Sequence, residues 1–584
     1  MKKTKIVCTL GPATDDPIIL EKMIYAGMDV ARLNFSHSTH AEHKKRIDSF
    51  KAVRKKTGLP IALMLDTKGP EIRIKTFKAG AVDIEEGQLF TFTAKDIEGT
   101  KDKVSVTYAG LCKDVARGNR ILVDDGLVAF RVLETSDTDV VCTAINSGRI
   151  SDRKGINIPG VSTSLPYMSE TDRSDILFGI ENDVDFIAAS FVRSASDILE
   201  IRRLLEENAG KSIRIIAKIE NNEGVCNIDE IIKVSDGIMV ARGDMGVEID
   251  LEELPTIQKM LIKKCYTTGK MVITATQMLD SMIRNPRPTR AETTDVANAI
   301  YDGTSALMLS GETAVGKYPV LVVETMAKIA EHTESSIDYV SDFSKSAVGF
   351  TPNVTDALSH ATCTTAHDLG ATAIIAVTKS GTTARMISKF RPKCPIIAAT
   401  TSEKGFHQLA LSWGVIPLRA EEKYTTDDLF DHAVDLSVNA GLVHNGDLVV
   451  ITAGIPVGVS GNTNILKVHL VGHVLVQGSK GCGLSVSGKL CVARSEEDAR
   501  NNFTDGDILV IKKTSNAIID ILKRASGIIA EEDGISSHAA IVGMALNIPV
   551  ITGATGALDI LKSGTTVTLD SAQGFVYGGV VKIL

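Results

Sequence analysis

The chain has 584 residues, 44% hydrophobic and 23% charged, with a net charge of −8, so it is long enough for several ordinary globular domains. The acidic balance lacks the basic stripe of a nucleic-acid binder, and no apolar run approaches the roughly 18 residues of a membrane span. Nine scattered cysteines with no CxxC pair fit a reducing cytoplasm rather than a disulfide framework or a zinc site, and only 4% aromatics speak against a sheet sandwich.

From the N-terminus, MKKTK leads straight into strand-like KIVCTL and does not read as a signal peptide. Strand-like apolar runs recur at 5–10, 29–35, 61–67, 185–191, 213–220, 237–244, 271–278 and 306–312. Helical patterns lie between them, as at 195–208, 252–268 and 320–335. Eight strands alternating with helices predict a closed (β/α)8 barrel, the alternative being a doubly wound open sheet. The alternation breaks once. Residues 70–168 are Gly-spaced and rich in Thr, Val and Asp with no helical period, which predicts a small all-β insertion, a lid-like β-barrel. The catalytic barrel is thus assigned to 1–69 and 169–344. A further α/β unit is expected over 345–472 and a last one over 473–584.

In such a barrel the active site gathers at the C-terminal ends of the strands. Strand two ends with Arg32, Asn34 and Ser36, and strand three with Asp66 and Thr67, followed by Arg73. Strand five ends with Lys218 and Glu220, strand six with Arg242, Gly243 and Asp244, and strand seven with Thr276 and Gln277. Lys218 and Glu220 leave one face of a buried strand, where charge is costly unless paired or bound. A simple ion pair at a strand end would explain those two alone, but not companions on four other strands. Glu220 and Asp244 are hard oxygen donors suited to Mg²⁺. Arg32, Arg73 and Lys218 suit phosphate, and the backbone at Gly243 can approach an anion closely. Metal ligands and cations without an evident nucleophile–base pair point to phosphoryl transfer. No GxxxxGK[ST] loop is present, so this is not a P-loop enzyme. His37, in NFSHSTH, reads either as a nucleotide contact or as a lone surface histidine.

The blocks KTKIVCTLGPA, ARLNFSHSTHAEH, LDTKGPEIR, KIENNEGV, GIMVARGDMGVE and ATQMLDSMIRNPRPTRAETTDVANAIYDGTSALMLSGETAVGKYPV, in that order, strongly resemble pyruvate kinase over residues 1 to about 472. Departures are slight: Met245, Asp250 and Asp280 stand where the family often has Leu, Pro and Glu. The resemblance implies transfer of the phosphoryl group of phosphoenolpyruvate to ADP, giving pyruvate and ATP, the last step of glycolysis. It implies catalytic roles for Lys218, Arg32 and Thr276. Substrate would touch Arg32, Lys218, Gly243, Asp244 and Thr276. Mg²⁺ or Mn²⁺ would lie on Glu220 and Asp244, and K⁺ on Asn34, Ser36, Asp66 and Thr67. Nucleotide contacts would come from Asn34, His37, Arg73 and Lys154. Glu71 stands where potassium-independent relatives tend to carry Lys. The proton donor to the enolate carbon is not evident, and Thr276 would orient it. Two rivals stay open: a barrel lyase or aldolase acting on pyruvate enolates, and a non-catalytic sensor. The first has no need of a lid carrying nucleotide contacts, and the second no need of Lys218.

In the third unit, VTKSGTTARMISKF places Thr378, Ser380, Gly381, Thr382 and Thr383 between a strand and a helix. Hydroxyls and free N–H groups there read as a phosphate site or as a plain helix cap. The family's effector domain, including TAGIPVGVSGNTN (452–464), favours an allosteric phosphate, such as that of a sugar monophosphate or AMP. The last unit carries GIIAEEDGISSHAAIVGMALNIPVITGATG (527–556) and resembles the swivelling phosphohistidine domain of phosphoenolpyruvate-utilising enzymes. Its histidine would be His538, in the first turn of a helix capped by Ser536 or Ser537 and stopped by Pro549. A carrier histidine needs a second catalytic centre, and no ATP-grasp-like segment is seen, so a structural or regulatory role is expected. The resemblance implies a bacterial source and a cytoplasmic homotetramer.

Overall fold

The computed structural model describes residues 1–345, 353–454, 463–472, 474–483 and 485–580. Most of the TAGIPVGVSGNTN segment, 455–462, lies outside them. The chain forms two compact units. The first holds Met1–Asp356, Thr378–Lys393 and Thr400–Arg419; the second holds Ala357–Val377, Cys394–Ala399 and Ala420–Leu584.

The first unit contains a closed eight-stranded barrel, formed by Lys5–Thr9, Val30–Asn34, Ala62–Asp66, Phe186–Ala189, Arg214–Ile219, Gly237–Ala241, Met271–Ala275 and Ala306–Leu309 in sequence order. All neighbours pair in parallel, and the first strand closes on the eighth through Lys5 opposite Ala306. These strands are short, Val/Ile/Leu/Ala-rich and buried on both faces, as parallel strands under helices must be. The expected helices are present at Ala195–Glu207, Leu254–Thr267 and Pro319–Ser335.

Strand alternation fixes what fills the barrel. In the fifth strand Ile215, Ala217 and Ile219 join the outer core under the helices, while Ile216 joins the inner core. The same parity puts Val7, Val30, Ala62, Met64, Phe186 and Ala188 inside. Continuing it by two residues brings Thr9, Arg32, Asp66, Ser190 and Lys218 to the inner face at the strand ends. The interior is therefore apolar at its base and polar at its mouth.

The insertion after the third barrel strand pairs as a seven-stranded sheet and a two-stranded ribbon. It has its own core, in which Phe90, Phe92 and Phe130 are fully buried and the last two meet edge to face at 5.3 Å. Three packed phenylalanines give this small domain a large apolar payload for a small core.

In the second unit, parallel strands Ala373–Val377, Ile396–Thr400 and Leu448–Ala453 are followed by antiparallel Ile465–Leu470. The last segment forms an eight-stranded mixed sheet with parallel neighbours at Val486–Ala493, Ile508–Ile511, Gly527–Ala530 and Val550–Thr552. His538 opens the helix His538–Leu546, and Ser537 caps it by accepting the Ala540 N–H at 3.3 Å.

Candidate active site

One buried polar network fills the mouth of the barrel. The Lys218 ammonium donates to Asp66 Oδ1 at 3.0 Å and to Ser190 Oγ at 2.7 Å, and lies 3.0 Å from Glu220 Oε1. Arg32 Nε donates to the other oxygen of Asp66 at 2.6 Å, and its Nη1 to Thr9 Oγ1 at 2.8 Å. The Nη2 of Arg32 makes no hydrogen bond among the described residues. Ser190 Oγ is shared between the Asp66 carboxylate and the Thr67 carbonyl at 3.1 and 2.6 Å. Asn34 is the register partner of Asp66, so strands two and three present their terminal oxygens side by side.

Charge balance in this network is uneven. Burial alone would lower the Lys218 pKa, but the carboxylates of Asp66 and Glu220 prevail and hold it above its ordinary value. Burial also works against ionised Asp66, yet Arg32 and Lys218 keep it below the usual carboxylate range. Glu220 goes the other way. Burial, helped by Asp244, outweighs Lys218 and pushes its pKa up to about 7. Its Oε2 accepts the Phe191 N–H at 2.5 Å, while Oε1 is buried with no hydrogen-bond partner. The Asp244 carboxylate makes no hydrogen bond among the described residues. A buried carboxylate oxygen with an ion pair to Lys218 but no hydrogen bond, beside the Asp244 carboxylate, is a donor set that a divalent cation completes. Among the described residues no group of three or more His, Cys, Asp or Glu side chains gathers as a metal site. Two protein carboxylates plus substrate oxygens is the arrangement Mg²⁺ accepts most readily.

Backbone strain is stored at the same place. Phe191, Thr276 and Gln277 have φ of +54°, +73° and +55°, in the left-handed region that aromatic and β-branched residues avoid. Such conformations persist where tertiary contacts over-determine them. At Thr276 two contacts do so: Arg242 Nη2 donates to its carbonyl at 2.6 Å, and its Oγ1 accepts the Gly243 N–H at 3.2 Å. A Cβ on Gly243 would stand 3.1 Å from the Thr276 methyl, so only glycine fits there without movement.

Above the network a cleft of about 410 Å³ opens between the barrel mouth and the inserted β unit. Arg73, Lys154 and Asp244 line it. Arg73 Nε donates to Glu71 at 2.7 Å, and Lys154 pairs with Asp124 at 3.0 Å. Asn157 of the insertion donates to Glu248 of the barrel at 2.9 Å, tying the two across the cleft. His37 is exposed and does not line this cleft; its carbonyl accepts from His43 at 2.9 Å. Asn34 also lies off the cleft wall, its Oδ1 accepting the Ser36 N–H at 3.1 Å.

The Thr378–Thr383 loop forms a separate cluster. Thr378 Oγ1 accepts the N–H of Gly381 at 3.0 Å, and Gly381 takes φ +78° as N-cap of the helix Thr382–Ser388. Ser380 Oγ meets Thr382 Oγ1 at 3.0 Å, and Arg385 donates to both the Ser380 carbonyl and Thr382 Oγ1. In the second unit, His538 Nδ1 meets Thr514 Oγ1 at 2.8 Å and Nε2 meets Asn516 Oδ1 at 3.0 Å.

Three polar contributors escaped the sequence reading. Thr9 and Ser190 end the first and fourth strands, whose mild sequences drew no attention, although inward parity extends to both. Phe191 contributes a backbone N–H, which no side-chain motif announces.

A barrel whose mouth joins two cations, two spare carboxylates and a β insertion over a polar cleft defines a phosphotransferase of the barrel class. Residues 1–323 match the family model for the pyruvate kinase barrel domain, 356–469 the pyruvate kinase alpha/beta domain, and 503–574 the mobile domain of PEP-utilising enzymes. The chain belongs to the pyruvate kinase family. It is 50% identical to pyruvate kinases of Geobacillus stearothermophilus and Sporosarcina psychrophila, each over the full length of both chains. A crystal structure of a pyruvate kinase from Cryptosporidium parvum superposes with a TM-score of 0.77 at 39% identity, covering 80% of this chain and 96% of that one.

Proposed function

We propose that this chain transfers the phosphoryl group of phosphoenolpyruvate to ADP at the barrel mouth, under control of a phosphorylated metabolite bound at the Thr378–Thr383 loop. The observation that carries the reading is the buried Arg32–Asp66–Lys218–Glu220 network lying beneath a cleft lined by Arg73, Lys154 and Asp244. Phosphoenolpyruvate and ADP are both polyanions and repel each other unless positive charge separates them.

Each residue then has a task. The free Nη2 of Arg32 takes a phosphate oxygen, while Asp66 and Thr9 hold the guanidinium still. Lys218, kept charged by its carboxylate neighbours, neutralises the phosphoryl group in flight and the enolate left behind. Glu220 and Asp244 hold Mg²⁺ or Mn²⁺, which when bound supplies charge neutralisation at the phosphoryl and enolate oxygens. Asn34, Ser36, Asp66 and Thr67 supply an oxygen-rich K⁺ site. The Gly243 and Asp244 backbone with Thr276 cradles the pyruvyl part, the strained turn at Thr276 fixing its hydroxyl. Arg73 and Lys154 hold the nucleotide from the lid, without Asn34 or His37, which lie off the cleft wall. The domain division into 1–69 with 169–344, 70–168, 345–472 and 473–584, a cytoplasmic location and a homotetramer belong to the same proposal.

For His538 we favour a structural or regulatory role. Both ring nitrogens are already engaged, by Thr514 and Asn516. The test of the whole reading is pyruvate formation from phosphoenolpyruvate with and without ADP, Mg²⁺ and K⁺. ADP-independent pyruvate release would favour a lyase, and no turnover at all a sensor.

A further inference from the structure

A second concentration of positive charge, largely withdrawn from solvent, lies at the opposite end of the barrel, where the seventh strand begins at Met271 and Ser305 precedes the eighth. A small hole of about 10 Å³ is lined there by Lys270, Ser305, Arg385, Arg391, Ser412 and Trp413, with Lys389 beside them. Lys389 is neutralised by Asp356, both of whose oxygens lie 2.9 Å from its ammonium. The other three cations have no carboxylate within ion-pair distance among the described residues. Asp236 is held by Arg202 and Arg214 at 2.7 and 3.0 Å. Glu334 accepts the N–H groups of Lys3 and Thr4. Lys270 has only the Ser235 carbonyl, and Arg385 only the Ser380 carbonyl and the Thr382 hydroxyl.

Arg391 is the sharpest case. Its Nη2 reaches the Gly303 carbonyl at 2.7 Å and Ser305 Oγ at 3.4 Å, but Nε and Nη1 are buried with no partner, as is Ser412 Oγ. Its guanidinium stacks 4.4 Å over the Trp413 ring, and its backbone is held at φ +49°. Buried unpaired charged donors are strongly unfavourable and call for a counter-charge. Burial depresses Arg385 to about 9 and Arg391 to about 10, outweighing the more distant carboxylates Asp236 and Glu334.

We propose that this hole is an anion site that holds one halide-sized anion, such as chloride, with Arg391 Nε and Nη1 and Ser412 Oγ as its donors. A hole of this size takes at most one small occupant, which excludes phosphate and organic acids. Three cations around it favour an anion over water.

Trp413 is the only tryptophan and is 4% exposed, so it reports on this hole with little collisional quenching from bulk solvent. The experiment titrates the full-length protein with sodium bromide at constant ionic strength, balanced by sodium gluconate, and follows Trp413 fluorescence. A saturable quench is expected in wild type and its loss in Arg391→Met. Thermal midpoints should be higher in sodium chloride than in gluconate, with sodium phosphate no better than gluconate. Ser305→Asp places a carboxylate within reach of Arg391; it should abolish the chloride dependence while keeping the midpoint, and it stands in if Arg391→Met fails to fold. Quenching that is linear in bromide, or equal midpoints of wild type in chloride and gluconate, would mean that water fills the hole and would overturn the proposal. A saturable quench that persists in folded Arg391→Met or in Ser305→Asp would do the same.

Discussion

Replacing Glu220 with Gln should stabilise the metal-free protein at alkaline pH while abolishing turnover. Burial, aided by Asp244, raises the Glu220 pKa from 4.5 to about 7. That rise corresponds to about 3 kcal/mol against the charged form. The group is fully buried, so solvent screening does not reduce it. The folded protein holds the Glu220 proton more tightly than the unfolded chain, so this group's contribution to stability is greatest below pH 4.5. It is lost as pH rises from about 4.5 to 7, and the full deficit stands at pH 8. Gln mimics the protonated acid and can still accept the Phe191 N–H. Its amide N–H₂ would, however, face the Lys218 ammonium, which costs about 1 kcal/mol. The net gain is about 2 kcal/mol at pH 8 and near zero at pH 5. Calorimetric scans in EDTA should therefore show a midpoint raised by a few degrees at pH 8 and unchanged at pH 5. Adding Mg²⁺ should narrow the difference, because a cation offsets the wild-type charge. A variant less stable than wild type at pH 8, or stabilised equally at both pH values, would show that Glu220 is not a strained, waiting ligand.

Four further outcomes follow from the same geometry. Lys218→Met should lower kcat by at least about 100-fold, the scale of one lost transition-state charge contact, with circular dichroism unchanged; near-normal kcat would remove Lys218 from the chemistry. Activity should fall sharply when K⁺ is replaced by tetramethylammonium, and full activity in buffer free of K⁺ and Na⁺ would refute the oxygen cluster at Asn34, Ser36, Asp66 and Thr67. Ser380→Glu with Thr382→Glu should pair with Arg385 and abolish the response to sugar monophosphates and AMP; an unchanged response would place the effector elsewhere. His538→Ala should leave kcat unchanged, and an acid-labile phosphoprotein formed from labelled phosphoenolpyruvate in wild type but not in the variant would overturn the structural reading.

Much of the barrel was legible because its strands are buried on both faces and the period changes cleanly from strand to helix. Lys218 and Glu220 stood out for the same reason: charge on an otherwise apolar buried strand has few explanations. Ser190 did not, since DFIAASF reads as uniformly apolar. Its importance comes from partners on other strands, Asp66 and Lys218, which alignment of the barrel brings together. His37 shows the converse. It lies in a motif-rich segment, but its side chain is exposed and off the cleft wall, a matter of loop direction that spacing alone does not fix.

The left-handed turns at Phe191, Thr276 and Gln277 were beyond sequence reasoning, because local preference argues against them. Phe191 delivers its N–H to Glu220, and Thr276 its hydroxyl to Gly243, so each strained residue places one polar atom at the mouth. The same region pushes a carboxylate pKa up to about 7 and leaves one of its oxygens with an ion pair but no hydrogen bond. A sequence relaxed for stability would place a Gly at 276 and a neutral side chain at 220. Neither is present, so the fold holds these groups in an unfavourable state through the rigidity of the surrounding barrel. Strain that serves no packing purpose and converges on one cleft is better explained by ligand binding, where incoming charge relieves it, than by stability.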